Sequence, residues 1–167
     1  SLTNVTMTAN MASVNGGGMH NYIQSYPILT NCIIWGNTAT NGQDIWNSNA
    51  TTVSLHYCLY DDAPDAIVEN AGSSTVKDAH SLAVDPQFAD VLTQNYQLSA
   101  GSPGINAGIN DSITAFNTTD VIGQPRIFDK AIGGLVDMGA YEYQGPLHPD
   151  ANGTLYVDSA AAPGGDG

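Results

Sequence analysis

Asp61, Asp62 and Asp65 form the densest group of chemically competent side chains in the sequence. Carboxylate oxygens at that density could hold Ca2+, and carboxylates paired on neighbouring strands could hydrolyse a glycosidic bond as acid and base. An acidic run is ordinarily a solvated loop, so the expectation is a loop without a catalytic role, with weakly held calcium as the only cofactor left open. Asp150-Ala151-Asn152-Gly153 is a mere fragment of a calcium-loop pattern. His20, His56, His80 and His148 lack the spacing of a zinc set and read as ordinary histidines. Tyr22, Tyr26, Trp35 and Trp46 offer flat apolar faces on which a sugar could stack, although packing in a core or at its rim is the expected role of each. Cys32 and Cys58 are too few for a disulfide scaffold. Five Asn-x-Ser/Thr triplets, at Asn4, Asn49, Asn110, Asn117 and Asn152, are what an Asn- and Thr-rich chain produces by chance.

Charge narrows the partners. Lys77, Arg126 and Lys130 are the entire supply of Lys and Arg, against 16 Asp plus Glu, for a formal net charge of −13. A phosphate backbone or an anionic membrane face demands clustered cations, so neither nucleic acid nor a membrane surface is an expected partner. No apolar run reaches the roughly 18 residues that span a bilayer, so no membrane span is expected, and no basic-then-apolar signal segment opens the sequence. A hydrophobic fraction of 42% over 167 residues suits one folded body with appendages, and the scarcity of Lys and Arg disfavours long amphipathic helices.

The elements that must position these groups show in a repeat. Leu2-Thr3-Asn4-Val5 matches Leu29-Thr30-Asn31-Cys32 and then Leu55-His56-Tyr57-Cys58, at offsets of 27 and 26 residues, and Leu82 falls 27 residues further on. Asn10 matches Asn37, and Gly18-Met19-His20-Asn21 matches Asp44-Ile45-Trp46-Asn47. Each unit holds short apolar or β-branched runs, such as Cys32-Ile33-Ile34-Trp35 and Thr51-Thr52-Val53, between Gly, Asn, Asp and Pro. That is the pattern of short strands and tight bends, not of helical repeats. Three strands per unit, each parallel to its counterpart in the next, make a parallel β-helix with 26 to 27 residues per rung and a rise of about 4.8 Å.

The inward columns are then Leu2/Leu29/Leu55, Val5/Cys32/Cys58 and Met7/Ile34/Tyr60. The leucine and the next inward residue are three apart, which requires a bend at Asn4 and Asn31. Asn tolerates the left-handed conformation, and its amide can bond to that of the next rung. Tyr57 breaks the Asn column, so the bend is expected to loosen there. Cys32 and Cys58 are expected to stack as free thiols, because neighbouring parallel strands hold Cβ atoms about 5 Å apart and a disulfide wants about 3.8 Å.

From about residue 80 a different series follows: Asp85-Pro86-Gln87-Phe88, Asn95-Tyr96-Gln97-Leu98, Gly101-Ser102-Pro103-Gly104-Ile105-Asn106-Ala107-Gly108, Asp120-Val121-Ile122-Gly123-Gln124-Pro125-Arg126 and Val136-Asp137-Met138-Gly139-Ala140-Tyr141-Glu142. In this order the motifs resemble the C-terminal end of bacterial right-handed β-helix proteins of the pectate-lyase-like superfamily, particularly large surface proteins of the choice-of-anchor Q type. They are also similar to the closing pattern of some chondroitinase B-type polysaccharide lyases. The resemblance, over residues 2 to 143, implies a right-handed coil and an extracellular or bacterial cell-surface location. It leaves activity open, because one fold hosts many functions. Eliminative cleavage of an acidic polysaccharide needs a base and a neutralising cation, and no catalytic cluster is legible around Lys77, Arg126 and Lys130. Asp120, Asp137 and Glu142 could instead hold Arg126 as a structural guanidinium.

Residues 1–80 are thus expected to form rungs, 81–144 an irregular closing segment, 145–153 a linker, and 154–167 a tail strand. The tail, with Leu155, Tyr156 and Val157, resembles the start of a further β-helix domain, and the sequence starts within a repeating unit, as part of a longer precursor would. The expected function is structural and non-catalytic: an adhesin stalk, matrix component or filament subunit that self-associates head-to-tail or continues into an adjacent β-helix domain. The alternatives are the C-terminal portion of a glycan-active enzyme with its catalytic rungs upstream, and a glycan-binding module.

Overall fold

The computed structural model describes residues 1–128 and 133–145. Its first coil consists of β1 (Leu2–Thr3), β2 (Thr6–Thr8) and β3 (Met19–Tyr22), and its second of β4 (Ile28–Thr30), β5 (Ile33–Trp35) and β6 (Ile45–Ser48). The third contains β7 (Thr52–His56), β8 (Leu59–Tyr60) and β9 (Ile67–Glu69), and β10 (Ser74–Lys77) opens a fourth. All pair parallel, in three sheets ordered β1-β4-β7-β10, β2-β5-β8 and β3-β6-β9. The chain is therefore a parallel β-helix.

Side-chain alternation builds the core. Along β7 the buried residues are Val53 and Leu55, with Thr52, Ser54 and His56 on the other face. Leu29, Cys32, Ile34, Ile45, Val53, Leu55 and Cys58 form the buried interior, with Val5, Met7, Met19, Tyr60 and Ile67 packed against it. Each fully buried Leu or Ile contributes about 1.5–3 kcal/mol. The columns keep the register read from the sequence, Leu2 with Leu29 and Leu55 and Met7 with Ile34 and Tyr60, although Leu2 is itself exposed, and Cys32 and Cys58 are buried free thiols.

The bends use left-handed backbone at Asn4 (φ 54), Asn31 (φ 52) and Tyr57 (φ 53). The expectation that the bend loosens at Tyr57 is corrected: the coil imposes the same dihedral on a residue type that ordinarily avoids it. A second correction concerns Leu82. Leu55 pairs with Lys77, and Leu82 bridges to Leu59 in the β2-β5-β8 sheet. The cause is a shorter connection after β8, residues 61–66, where the earlier coils use 9–18 and 36–44.

After the fourth coil begins, β11 (Phe88–Asp90) and β12 (Asn95–Leu98) form an antiparallel hairpin. The remaining described residues have no regular element except a 3-10 turn at Asn110–Ser112. They lie as a strap along the outer face of the β2-β5-β8 sheet. Ile33 and Leu59 from that face pack with Leu98 and Met138, and Trp35, Tyr57, Phe88, Ile105 and Ala107 border the cluster. Covered on both sides, β5 is apolar throughout, as doubly buried strands are. The strap reaches the second coil through Gly139 N–H to the Asn31 carbonyl (2.8 Å) and the first through Ala140 N–H to Thr6 Oγ1 (2.9 Å). Gly139 is required there, at φ +99, because a Cβ would lie 2.7 Å from both Ile33 Cδ1 and Thr6 Oγ1.

Candidate functional site

Asparagine side chains bond from one coil to the next at several positions. Asn21 Nδ2 donates to Asn47 Oδ1 (2.9 Å), whose own Nδ2 donates to Thr75 Oγ1 (2.9 Å). Asn10 Nδ2 donates to Asn37 Oδ1 (2.9 Å), and Asn37 Nδ2 to Asp44 Oδ1 (2.7 Å). Burial raises the pKa of Asp44, against the pull of those Asn37 bonds. The expected amide contact between Asn4 and Asn31 is absent. The Asn31 amide serves the strap instead, taking Ile109 N–H on its oxygen (2.9 Å) and donating to Ser112 Oγ (2.6 Å) and the Ile109 carbonyl (3.1 Å). One coil earlier the strap does not supply such partners. Asn4 is only 8% exposed, yet neither its Oδ1 nor its Nδ2 has a hydrogen-bond partner. A buried polar group left in that state costs about 1–3 kcal/mol.

Arg126 lies at the centre of the strap, 4% exposed. Sequence brought Asp120, Asp137 and Glu142 to it as direct partners, and the structure corrects the contact. The guanidinium donates from Nη1 to the Gly139 carbonyl and from Nη2 to the Ala140 carbonyl, each at 2.9 Å, while Nε has no partner. Among the described residues no carboxylate lies within 4.0 Å of the Arg126 guanidinium nitrogens. The carboxylates hold main-chain amides. Asp137 accepts from Asn106 and Tyr143, Glu142 from Phe128 and Asp137, and Asp120 from Ile122, Gln124 and Glu142. Burial pushes Asp137 and Glu142 above the usual carboxylate range, and the Asp137 charge adds to the rise at Glu142. Burial also lowers the Arg126 pKa, against the attraction of the three carboxylates. Glu142 borders a pocket of about 300 Å3 with Gln97, Leu98, Ile122, Gln124, Tyr143, Gln144 and Gly145. Arg126 does not line it, so its role is internal.

A contact that the sequence did not suggest joins His56 Nδ1 to Asp78 Oδ2, 3.4 Å apart. Asp78 Oδ1 accepts from the Tyr57, His80 and Ser81 amides and the Ser81 hydroxyl. These bonds overcome burial and hold Asp78 below its usual pKa. Lys77 Nζ sits 4.6 Å from the centre of the Tyr60 ring. The shortened third coil brings these residues together, at offsets that a fixed period does not reveal.

Asp61, Asp62 and Asp65 follow β8 in the short connection. Asp61 Oδ1 caps its own turn by accepting Ala63 N–H (2.8 Å), and the Asp65 carbonyl accepts Gln43 N–H (2.7 Å). Among the described residues no three His, Cys, Asp or Glu side chains converge as a metal-holding group. The aromatics divide. Trp35 packs under the strap, whereas Tyr22 and Trp46 flank His20 on the outer face of the β3-β6-β9 sheet, with ring centroids 6.3 Å and 6.5 Å from the imidazole. Tyr26 is exposed. Lys130, His148, Leu155, Tyr156 and Val157 lie outside the described residues. No helix among the described residues is long and apolar enough to cross a membrane. Comparison with known proteins gives no match to this chain, either among family models, among curated proteins or among solved structures.

Proposed function

We propose that the chain is a non-catalytic structural segment of an exported surface protein, of the β-helical kind that its closing motifs resemble, and that it works beside an adjacent β-helical unit. One observation carries this reading. The buried carboxylates of Asp44, Asp120, Asp137 and Glu142 each accept main-chain amides, so the acidic groups at the heart of the molecule hold the backbone instead of converging on a ligand. The test is incubation of the full chain with acidic polysaccharides while ultraviolet absorbance of unsaturated ends is followed. No increase is expected. An increase that disappears in Arg126→Gln or Lys130→Gln would replace this reading with the lyase alternative.

A second reading, glycan binding, is favoured by the His20, Tyr22 and Trp46 group, which presents aromatic faces on a sheet surface. The formal charge of −13 selects neutral over acidic glycans. Titration with neutral oligosaccharides should change tryptophan fluorescence in the unmodified chain and not in Trp46→Phe. A flat titration in both removes this reading.

A further inference from the structure

We infer that Asn41 is a site of spontaneous self-modification, at which the Gly42 nitrogen closes on the Asn41 side-chain amide, expels ammonia and leaves an imide that water opens to aspartate or isoaspartate. The dipeptide Asn-Gly occurs at Asn15-Gly16, Asn41-Gly42 and Asn152-Gly153, the last outside the described residues. Residue type does not tell Asn15 from Asn41. Both follow a β-branched residue, Val14 and Thr40. Both glycines are fixed by the fold, at φ +63 and +57, where a Cβ would lie 2.4 Å from the main-chain oxygen of Met19 and of Ile45 respectively. The attacking nitrogens differ in their hydrogen bonding.

Gly16 N–H donates to the Asn41 carbonyl (3.0 Å) and must give up that bond before its nitrogen can react. Gly42 has no such bond. It is buried, and among the described residues nothing accepts its N–H, a rare state for a buried amide. The fold supplies the reason. Residues 61–66 make a short connection, with a turn closed by Ala66 N–H to the Ala63 carbonyl (3.0 Å), so the third coil has no counterpart of Asn41. The Asp65 carbonyl takes the next amide along, that of Gln43 (2.7 Å), and passes Gly42 by. Local opening of the 36–44 connection then admits water to a nitrogen already free, whereas at Gly16 the same opening must also break a bond.

In the reaction the new N–C bond forms at Asn41 Cγ as the Cγ–Nδ2 bond breaks, and the Gly42 amide proton leaves with the NH2 group as ammonia. Water then adds across either C–N bond of the ring. Asp44, 2% exposed, is the sole Asp, Glu, Lys or Arg in residues 1–60, so the product puts a carboxylate on a stretch with no exposed acidic group. It also replaces the donor that joins Asn41 Nδ2 to Asn15 Oδ1 (3.0 Å) with a second acceptor.

The test ages the purified full chain at mildly alkaline pH, once native and once in urea, and follows the Asn15 and Asn41 peptides by digestion and mass spectrometry. The readout is the small mass gain as NH2 becomes OH, with an isoaspartyl methyltransferase to mark the isoaspartate product. In the native chain Asn41 is expected to react faster than Asn15 by about tenfold, the rate cost of giving up one hydrogen bond. In urea the two rates are expected to converge, because both dipeptides then have the same freedom. Equal native rates, a faster Asn15 or an Asn41 that stays intact overturns the inference. The same gap in urea overturns it too, since that assigns the selectivity to local sequence and not to the fold. None of these readouts depends on assembly or on polysaccharide cleavage, so this inference and the structural reading above fail separately.

Discussion

The ring of Tyr57 lies flat on the imidazole of His80, with centroids 4.4 Å apart and planes within 3°. This stack fixes a residue that holds φ 53 at a corner where the earlier coils use asparagine. His80→Ala is expected to lower stability by about 1 kcal/mol, the worth of an aromatic pair. Tyr57→Asn keeps the bend and should cost no more than that. Tyr57→Val, β-branched at positive φ, should cost about 2–3 kcal/mol. Urea unfolding of the three variants separates the stack from the backbone.

Cys32 and Cys58 occupy neighbouring rungs as buried free thiols. Denaturation without reductant followed by thiol labelling should find both groups, and the native protein should label slowly. Finding neither thiol after denaturation would show a disulfide and displace the two residues from their stacked column.

The strap sets a pH dependence. Burial holds Asp137 and Glu142 above their unfolded pKa values. A group raised in this way contributes stability that is full below the unfolded value and is lost as pH rises through the folded one. The unfolding midpoint is therefore expected to fall as pH is taken from about 5 to about 8. Asp78 acts in the opposite sense, its contribution being lost only as pH falls through its lowered folded value. Glu142→Gln should flatten the slope between mildly acidic and mildly alkaline pH, and an unchanged slope would show that Glu142 does not titrate there.

Gly139→Ala should detach the strap from the coil, because its Cβ would meet Ile33 and Thr6 at a backbone angle that disfavours any side chain. A loss of about 2–4 kcal/mol is expected. Faster amide exchange at Ala140, whose N–H is held by Thr6, would place the damage there.

The coil was readable because its period is nearly constant where it is load-carrying: Leu2, Leu29 and Leu55 sit in one column because each repeat supplies the same three strands. Leu82 was misread because residues 61–66 shorten the third coil, and a loop deletion moves the register without altering the strand pattern that precedes it. The same slip hid the His56 and Asp78 pair. For Arg126 the neighbouring residues were found and the contacts were not. Sequence suggests which carboxylates are near a guanidinium, but here the main-chain carbonyls of Gly139 and Ala140 accept its hydrogen bonds, and backbone acceptors leave no mark in residue type. The orphaned state of Asn4 was illegible for a related reason: Asn4 and Asn31 are the same residue in the same column, and only the path of the strap distinguishes them.

That path changes how the molecule comes apart. In a simple solenoid each coil touches only its neighbours, and the array can fray from either end one coil at a time. Here Ala140 is tied to Thr6 across 134 residues of sequence, and Gly139 to Asn31 one coil below. The strap binds the first, second and third coils as a lashing binds staves, so loosening one end strains the bond at the other. Unfolding of the described body is therefore expected to be more cooperative than that of a simple solenoid, and folding to include a long-range closure that local coil growth does not supply.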